Sequence, residues 1–178
     1  MSLVQFASRA LGSEIYPQQR NALQAFEDSI PPQEGDPGGS PLWLRVAGRR
    51  SGKTTVALVS VAWQICRWLL CWPFANARRA DLLFLSPTAH QVSTAKHAIL
   101  GMLGDSFRVE NQAQYHVDFC KAECKVRLQT SPWTLLRGYS YTMMVADEPT
   151  QGVPPGLLEF SARNVGRAVF VGEGWNLW

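Results

Sequence analysis

The stretch Ala47-Gly48-Arg49-Arg50-Ser51-Gly52-Lys53-Thr54-Thr55 constrains this chain more than any other. An apolar run, Leu42-Trp43-Leu44-Arg45-Val46, precedes it, and a helix-like segment from Val56 to Trp72 follows. A strand, a glycine-bearing turn, Gly-Lys-Thr and a helix, in that order, form the context of a phosphate-binding P-loop. Such a turn aims successive backbone N–H groups at an anion, and the helix adds its positive dipole end. Gly52 leaves room where a Cβ would intrude. Lys53 is placed to reach the β- and γ-phosphates, and the Thr54 hydroxyl to bind Mg²⁺. The candidate nucleotide-binding residues are therefore Gly48, Arg49, Arg50, Ser51, Gly52, Lys53, Thr54 and Thr55. The spacing departs from the usual one: the position that normally carries the first glycine is Ala47, and Gly48 comes one residue later.

With 178 residues, 46% hydrophobic and 17% charged, the chain is expected to form one globular domain. Residues 1–41 read as N-terminal helices and a flexible linker, and 42–178 as the core. A net charge of +3 suits an anionic partner without requiring one. Gln5 and Arg9 interrupt any apolar leader, so a reducing, cytosolic compartment is expected. Cys66 and Cys71 sit in an apolar helix and read as buried thiols. Cys120, Cys124 and His116 lack the paired spacing of a zinc site. Val56 to Trp72 contains Ser60, Gln64 and Arg67, and reads as a packed helix rather than a membrane span.

Helices are predicted at Phe6–Leu11 and at Pro17–Ile30, where Leu23, Phe26 and Ile30 recur at helical spacing. Pro31 to Pro41 reads as a linker, Asn76 to Arg79 as a polar turn, and Asp81 to Ser86 as a buried strand. A helix from Gln91 to Leu103 completes a second βα unit. Alternation over Phe107–Gln129 predicts two antiparallel strands around a turn near Lys121–Cys124. The strand Tyr141 to Ala146 ends in Asp147-Glu148. An aspartate there can hold Mg²⁺ through water, and a glutamate can deprotonate an attacking water. A short helix, Gly156–Asn164, and a strand, Arg167–Gly172, close the pattern.

Five segments carry a resemblance: Pro17-x-Gln19-Arg20, Gly48 to Thr54, Leu85-Ser86-Pro87-Thr88 with Gln91, Leu136-Arg137-Gly138-Tyr139, and Val145-Ala146-Asp147-Glu148. In this order the chain resembles the ATPase domain of the large terminase subunit of tailed bacteriophages, from about Tyr16 to Gly172. The resemblance implies a P-loop NTPase fold of the α/β class. The sheet is expected to be mainly parallel, flanked by helices, with a small antiparallel addition around 107–129. It also implies ATP and Mg²⁺ as cofactors and double-stranded DNA as cargo. The partners would be a homo-oligomeric ring on a procapsid portal and a small terminase subunit, in the bacterial host's cytoplasm without membrane association. By the same resemblance, Gln19 is the adenine-motif glutamine, Asp147 supports the metal with Thr54, Glu148 activates water, and Arg137 is an arginine finger acting on a neighbour's ATP. Arg49 and Arg50 are competing finger candidates from the same subunit.

Gly172-Glu173-Gly174 stands where the family has a Thr/Ser-Pro-type coupling motif, and the chain stops before the family's lid and nuclease domain. Two alternatives stay open: a helicase-like ATPase fragment, and a non-catalytic remnant or nucleotide-binding module.

Overall fold

Continuous apolar segments such as Leu82-Leu83-Phe84-Leu85 and Met143-Met144-Val145-Ala146 have no polar face to give to water, and both lie in the middle of a seven-stranded sheet. The computed structural model describes residues 1–30, 41–48, 50–71, 79–132, 139–147 and 155–172, apart from the side chains of residues 71, 105 and 155. Arg49, Arg137 and Glu148 lie outside the described residues, as do nearly all of the expected 31–41 linker and Glu173-Gly174.

The strands are β1 (Leu42–Arg45), β2 (Arg79–Ser86), β3 (Arg108–Glu110), β4 (His116–Lys121), β5 (Cys124–Pro132), β6 (Met143–Asp147) and β7 (Ala168–Gly172). Their order across the sheet is β1-β7-β6-β2-β5-β4-β3. The helices are α1 (Leu3–Leu11), α2 (Pro17–Asp28), α3 (Lys53–Cys71), α4 (Ala89–Leu103) and α5 (Pro155–Asn164). Local chemistry sets several boundaries. Ser2 and Gln5 form a capping box at the start of α1, and Thr88 and Gln91 form one at α4. Pro17 occupies the first turn of α2, where its missing N–H costs nothing.

Three expectations are corrected. First, α3 begins at Lys53, earlier than its apolar pattern, because the polar Lys53, Thr54 and Thr55 form a first turn that serves the preceding loop. Second, β2 begins at Arg79, within the expected turn, and Arg79 pairs in register with Lys125. Third, the antiparallel part has one strand more, β3, than the alternation predicted. β4 is antiparallel to both β3 and β5, but β5 runs to Pro132 and pairs parallel with β2 from Lys125 to Pro132. It is therefore an inner strand of the main sheet.

The two sheet faces are unequal. Helices α1 to α4 bury one face in a large core that includes Phe26, Ile65, Phe84, Phe119 and Val145. On the other face α5 packs over Leu83, Leu85, Met144 and Phe170. Farther out on that second face, β5, β4 and β3 carry charges. Strand alternation sends Val117, Phe119, Val126 and Leu128 into the large core, and therefore Asp118 and Arg127 to the opposite side. Arg127 grips Asp118 with two bonds of 2.7 and 3.0 Å, and Asn111 adds a third at 3.2 Å. Lys125 joins Asp118 to Glu110, and Glu110 pairs with Arg108.

Cys120 shares the Asp118 face, whereas Cys124 packs against the large core on the other. The two thiols thus point to opposite sides of one hairpin. Among the described residues no group of three His, Cys, Asp or Glu could hold a metal ion, and no helix is long and apolar enough to cross a membrane.

The side chain of Asp118 is fully buried. Burial pushes its carboxyl upward, but the bonds from Arg127 and Asn111 outweigh this and hold it below the usual carboxylate range. A depressed folded value means that the pair stabilises the fold above about pH 4, the ordinary aspartate value, and loses that contribution as acid titrates through the lower folded value. Asp118→Ala is therefore expected to cost about 2 kcal/mol at pH 7, seen as a lower urea midpoint. The difference from wild type should shrink in acid. A second expectation concerns Cys66, whose burial in α3 pushes its thiol up to about 11. It should resist iodoacetamide at pH 8 in the folded chain and react on unfolding, as peptide mass mapping would show.

Candidate functional site

In a parallel sheet the loops at the carboxyl ends of the strands gather at one edge, and ligands bind there. That edge holds the loop after β1, Asp147 at the end of β6, and Gly172 at the end of β7. Val46 continues β1 by donating to the Gly172 carbonyl at 2.9 Å, which fixes where the loop departs. Asp147 lies opposite Val171, which in turn lies opposite Leu44. Two strand spacings, about 10 Å, thus separate Asp147 from the root of the loop.

Three described residues of the loop have positive φ. Gly48 (φ +97°), Arg50 (φ +59°) and Gly52 (φ +81°) are left-handed. Where a left-handed residue adjoins a right-handed one, as at Arg50, Ser51 and Gly52, neighbouring N–H groups turn toward one concave side, which is the geometry of an anion nest. It also explains the departure in spacing. Ala47 is not among the residues with positive φ, so the loop asks for its first glycine at 48. Arg50 takes a left-handed conformation that a long side chain rarely adopts, a local cost of the kind that gathers at functional loops.

Lys53 opens α3 and is only 5% exposed. Its ammonium folds back across the loop and donates to the Gly48 carbonyl at 2.7 Å. Thr54, beside it, is exposed, and Thr55 is half-buried. The Ser51 hydroxyl makes a long bond of 3.5 Å to the Val46 carbonyl. Asp147 is 2% exposed at the end of an otherwise apolar strand. A hydroxyl at Thr54 and a carboxylate at Asp147 are hard oxygen donors, which suit Mg²⁺ better than a softer metal.

Gln19, in the first turn of α2, meets the loop from the side. Its Nε2 donates to the Ser51 carbonyl at 3.0 Å, and its Oε1 accepts from the Tyr16 N–H at 3.1 Å. The contact is close: a Cβ added to Gly52 would lie 2.0 Å from Gln19 Nε2. Of the expected site residues, the structure thus brings together Gln19, Gly48, Arg50 to Thr55 and Asp147 at one edge. A groove of about 300 Å³ also runs beside the loop, between Gln18 and Asn21 of α2 and Trp43, Arg45 and Ala47. Sequence reasoning missed it, because its walls come from segments separated by the linker, and nothing in either segment alone says that the two meet.

No protein-family model matches the chain, and no curated protein matches it. Solved structures do. The large terminase of bacteriophage HK97 superposes with a TM-score of 0.61 at 14% identity, over 96% of this chain and 37% of that one. The large terminase of a thermophilic bacteriophage, in complex with ATP-γ-S, gives 0.60 at 14% identity, over 89% of this chain and 38% of that one. Another crystal form of it gives 0.58 at 15%, over 90% and 39%. The chain thus spans less than two-fifths of the length of these proteins. At such identities the likeness establishes the architecture: the chain has the P-loop NTPase fold found in phage large terminases.

Proposed function

We propose that this chain is the ATP-binding and ATP-hydrolysing module of a phage DNA-packaging motor. The observation that carries the reading is the loop with left-handed Gly48, Arg50 and Gly52, closed by Lys53 at the start of α3, with Asp147 two strands away across β7. The likeness to a terminase solved with ATP-γ-S supports a nucleoside triphosphate as the ligand. In this reading the loop N–H groups and Lys53 hold the β- and γ-phosphates. Thr54 and Asp147 hold Mg²⁺, which neutralises charge on the phosphates. Glu148, next in the chain after Asp147, takes the proton of the attacking water. Arg137, reaching from a neighbouring subunit, stabilises the charge that develops on the γ-phosphate, with Arg49 and Arg50 as same-subunit alternatives. Double-stranded DNA as cargo, a homo-oligomeric ring on a procapsid portal and a small terminase subunit belong to the same proposal.

Lys53→Ala is expected to weaken Mg-ATP binding about 10- to 100-fold by calorimetry, the worth of one charge-assisted hydrogen bond. Unchanged affinity would end the phosphate-loop reading. Glu148→Gln should keep ATP binding and lower turnover by about 10²–10⁴. Hydrolysis at the wild-type rate would remove Glu148 as the base. Arg137→Ala should leave monomer binding intact and depress the turnover of an assembled ring by about 10³–10⁵. Mixing it with Glu148→Gln subunits should restore part of the rate if the arginine acts in trans. No recovery, with assembly confirmed, would point to Arg49 or Arg50.

A further inference from the structure

Glutamine can read an adenine base only by presenting its oxygen and an N–H together along one edge. Gln19 already spends one bond at each end of its amide within the chain. Its oxygen takes the Tyr16 N–H and completes the cap of α2, while its nitrogen holds the Ser51 carbonyl. The helix that carries it is fixed elsewhere. Ala22, Leu23 and Phe26 are buried in the core, and Phe26 meets Trp63 of α3 edge to face. The Glu27 carboxylate accepts from the Leu3 N–H at 2.9 Å, and Arg167 donates to the Ser29 carbonyl just past the helix end. The amide is therefore delivered to the loop by a braced helix.

The bond has a geometric consequence. A trans peptide places its C=O and N–H on opposite sides. With the Ser51 carbonyl drawn toward α2, the Gly52 N–H points away from Gln19, toward the concave side spanned by the Lys53 ammonium. Position 52 favours glycine by its φ of +81°, and an added Cβ would displace the same amide nitrogen from its bond.

We propose that Gln19 is a positioning residue of the phosphate loop, one that sets the Ser51–Gly52 peptide for polyphosphate and leaves the base unread. The ligand class follows: nucleoside triphosphates with little distinction of base, and inorganic tripolyphosphate as a base-free mimic. This rests on the nucleotide reading proposed above.

Calorimetry on the full chain with Mg²⁺ and ATP, GTP or tripolyphosphate tests it, using wild type, Gln19→Ala and Gln19→Glu. The glutamate keeps the shape and the acceptor for Tyr16 but loses the donor to Ser51, so it separates loop positioning from helix capping. Both variants are expected to weaken all three ligands by the same factor, about 3- to 10-fold, the worth of one hydrogen bond. Wild type is expected to bind ATP and GTP within about threefold of each other. Thermal unfolding would confirm that each variant is folded. A variant that leaves tripolyphosphate affinity unchanged while erasing a preference for ATP over GTP would overturn the proposal and make Gln19 a base reader. Gln19→Glu binding like wild type would overturn it as well, by showing that the Ser51 bond is dispensable. If wild type binds ATP but not tripolyphosphate, positioning for polyphosphate fails while the nucleotide reading stands. If it binds none of the three, both fail.

Discussion

Everything at the ligand edge depends on how α3 is held. Over most of its length this helix has no side facing water: Val56, Ala57, Val59, Val61, Ala62 and Ile65 are all essentially inaccessible. A helix apolar all round is stable only inside a core, and here the sheet, α1, α2 and α4 surround it. Its first turn is thereby fixed relative to β1, and the loop between them has two immobile ends. A loop so anchored can keep three left-handed residues, one of them an arginine, because the packing on either side compensates for the local strain.

The sheet divides its labour along its width. From β1 to β2 the strands are apolar, and their register decides which residues meet at the carboxyl edge. From β5 outward, one face joins the core while the other is tied by Arg127, Asp118, Lys125 and Glu110. Cross-strand charge pairs of this kind fix register where an apolar pattern on one face alone would tolerate a slip. The outer strands are thus kept in line with β2, and through β2 with β6 and Asp147.

Much of this was legible in the sequence because it is local. Gly52-Lys53-Thr54 marked the passage from strand to helix, which the structure places between β1 and α3, and Leu82–Leu85 and Met143–Ala146 announced inner strands by being apolar throughout. The parallel pairing of β5 with β2 was not legible. Cys124–Pro132 alternates as any hairpin strand does, and nothing in that pattern says which side of it meets a third strand. The bond from Gln19 to Ser51 was hidden for a related reason. It joins residues far apart in sequence across the 31–41 linker, and a glutamine at a helix start looks the same whether it faces water or a loop. The role of Gly48 fell between the two. The glycine was visible, but only the backbone angles explain why it, and not residue 47, is the one the loop requires.

The bond from Lys53 to the Gly48 carbonyl makes ligand entry an exchange reaction. The ammonium already has an internal acceptor, so an arriving phosphate gains only the difference between its own contact and the one it displaces. Apparent affinity falls in proportion to how seldom the lysine leaves its carbonyl unaided. In the nucleotide reading proposed above, a weakly charged anion does not displace the peptide oxygen, while a phosphate group carrying two negative charges does. In that reading the loop's own backbone is a competitive filter that ranks anions by charge density before any other contact is made.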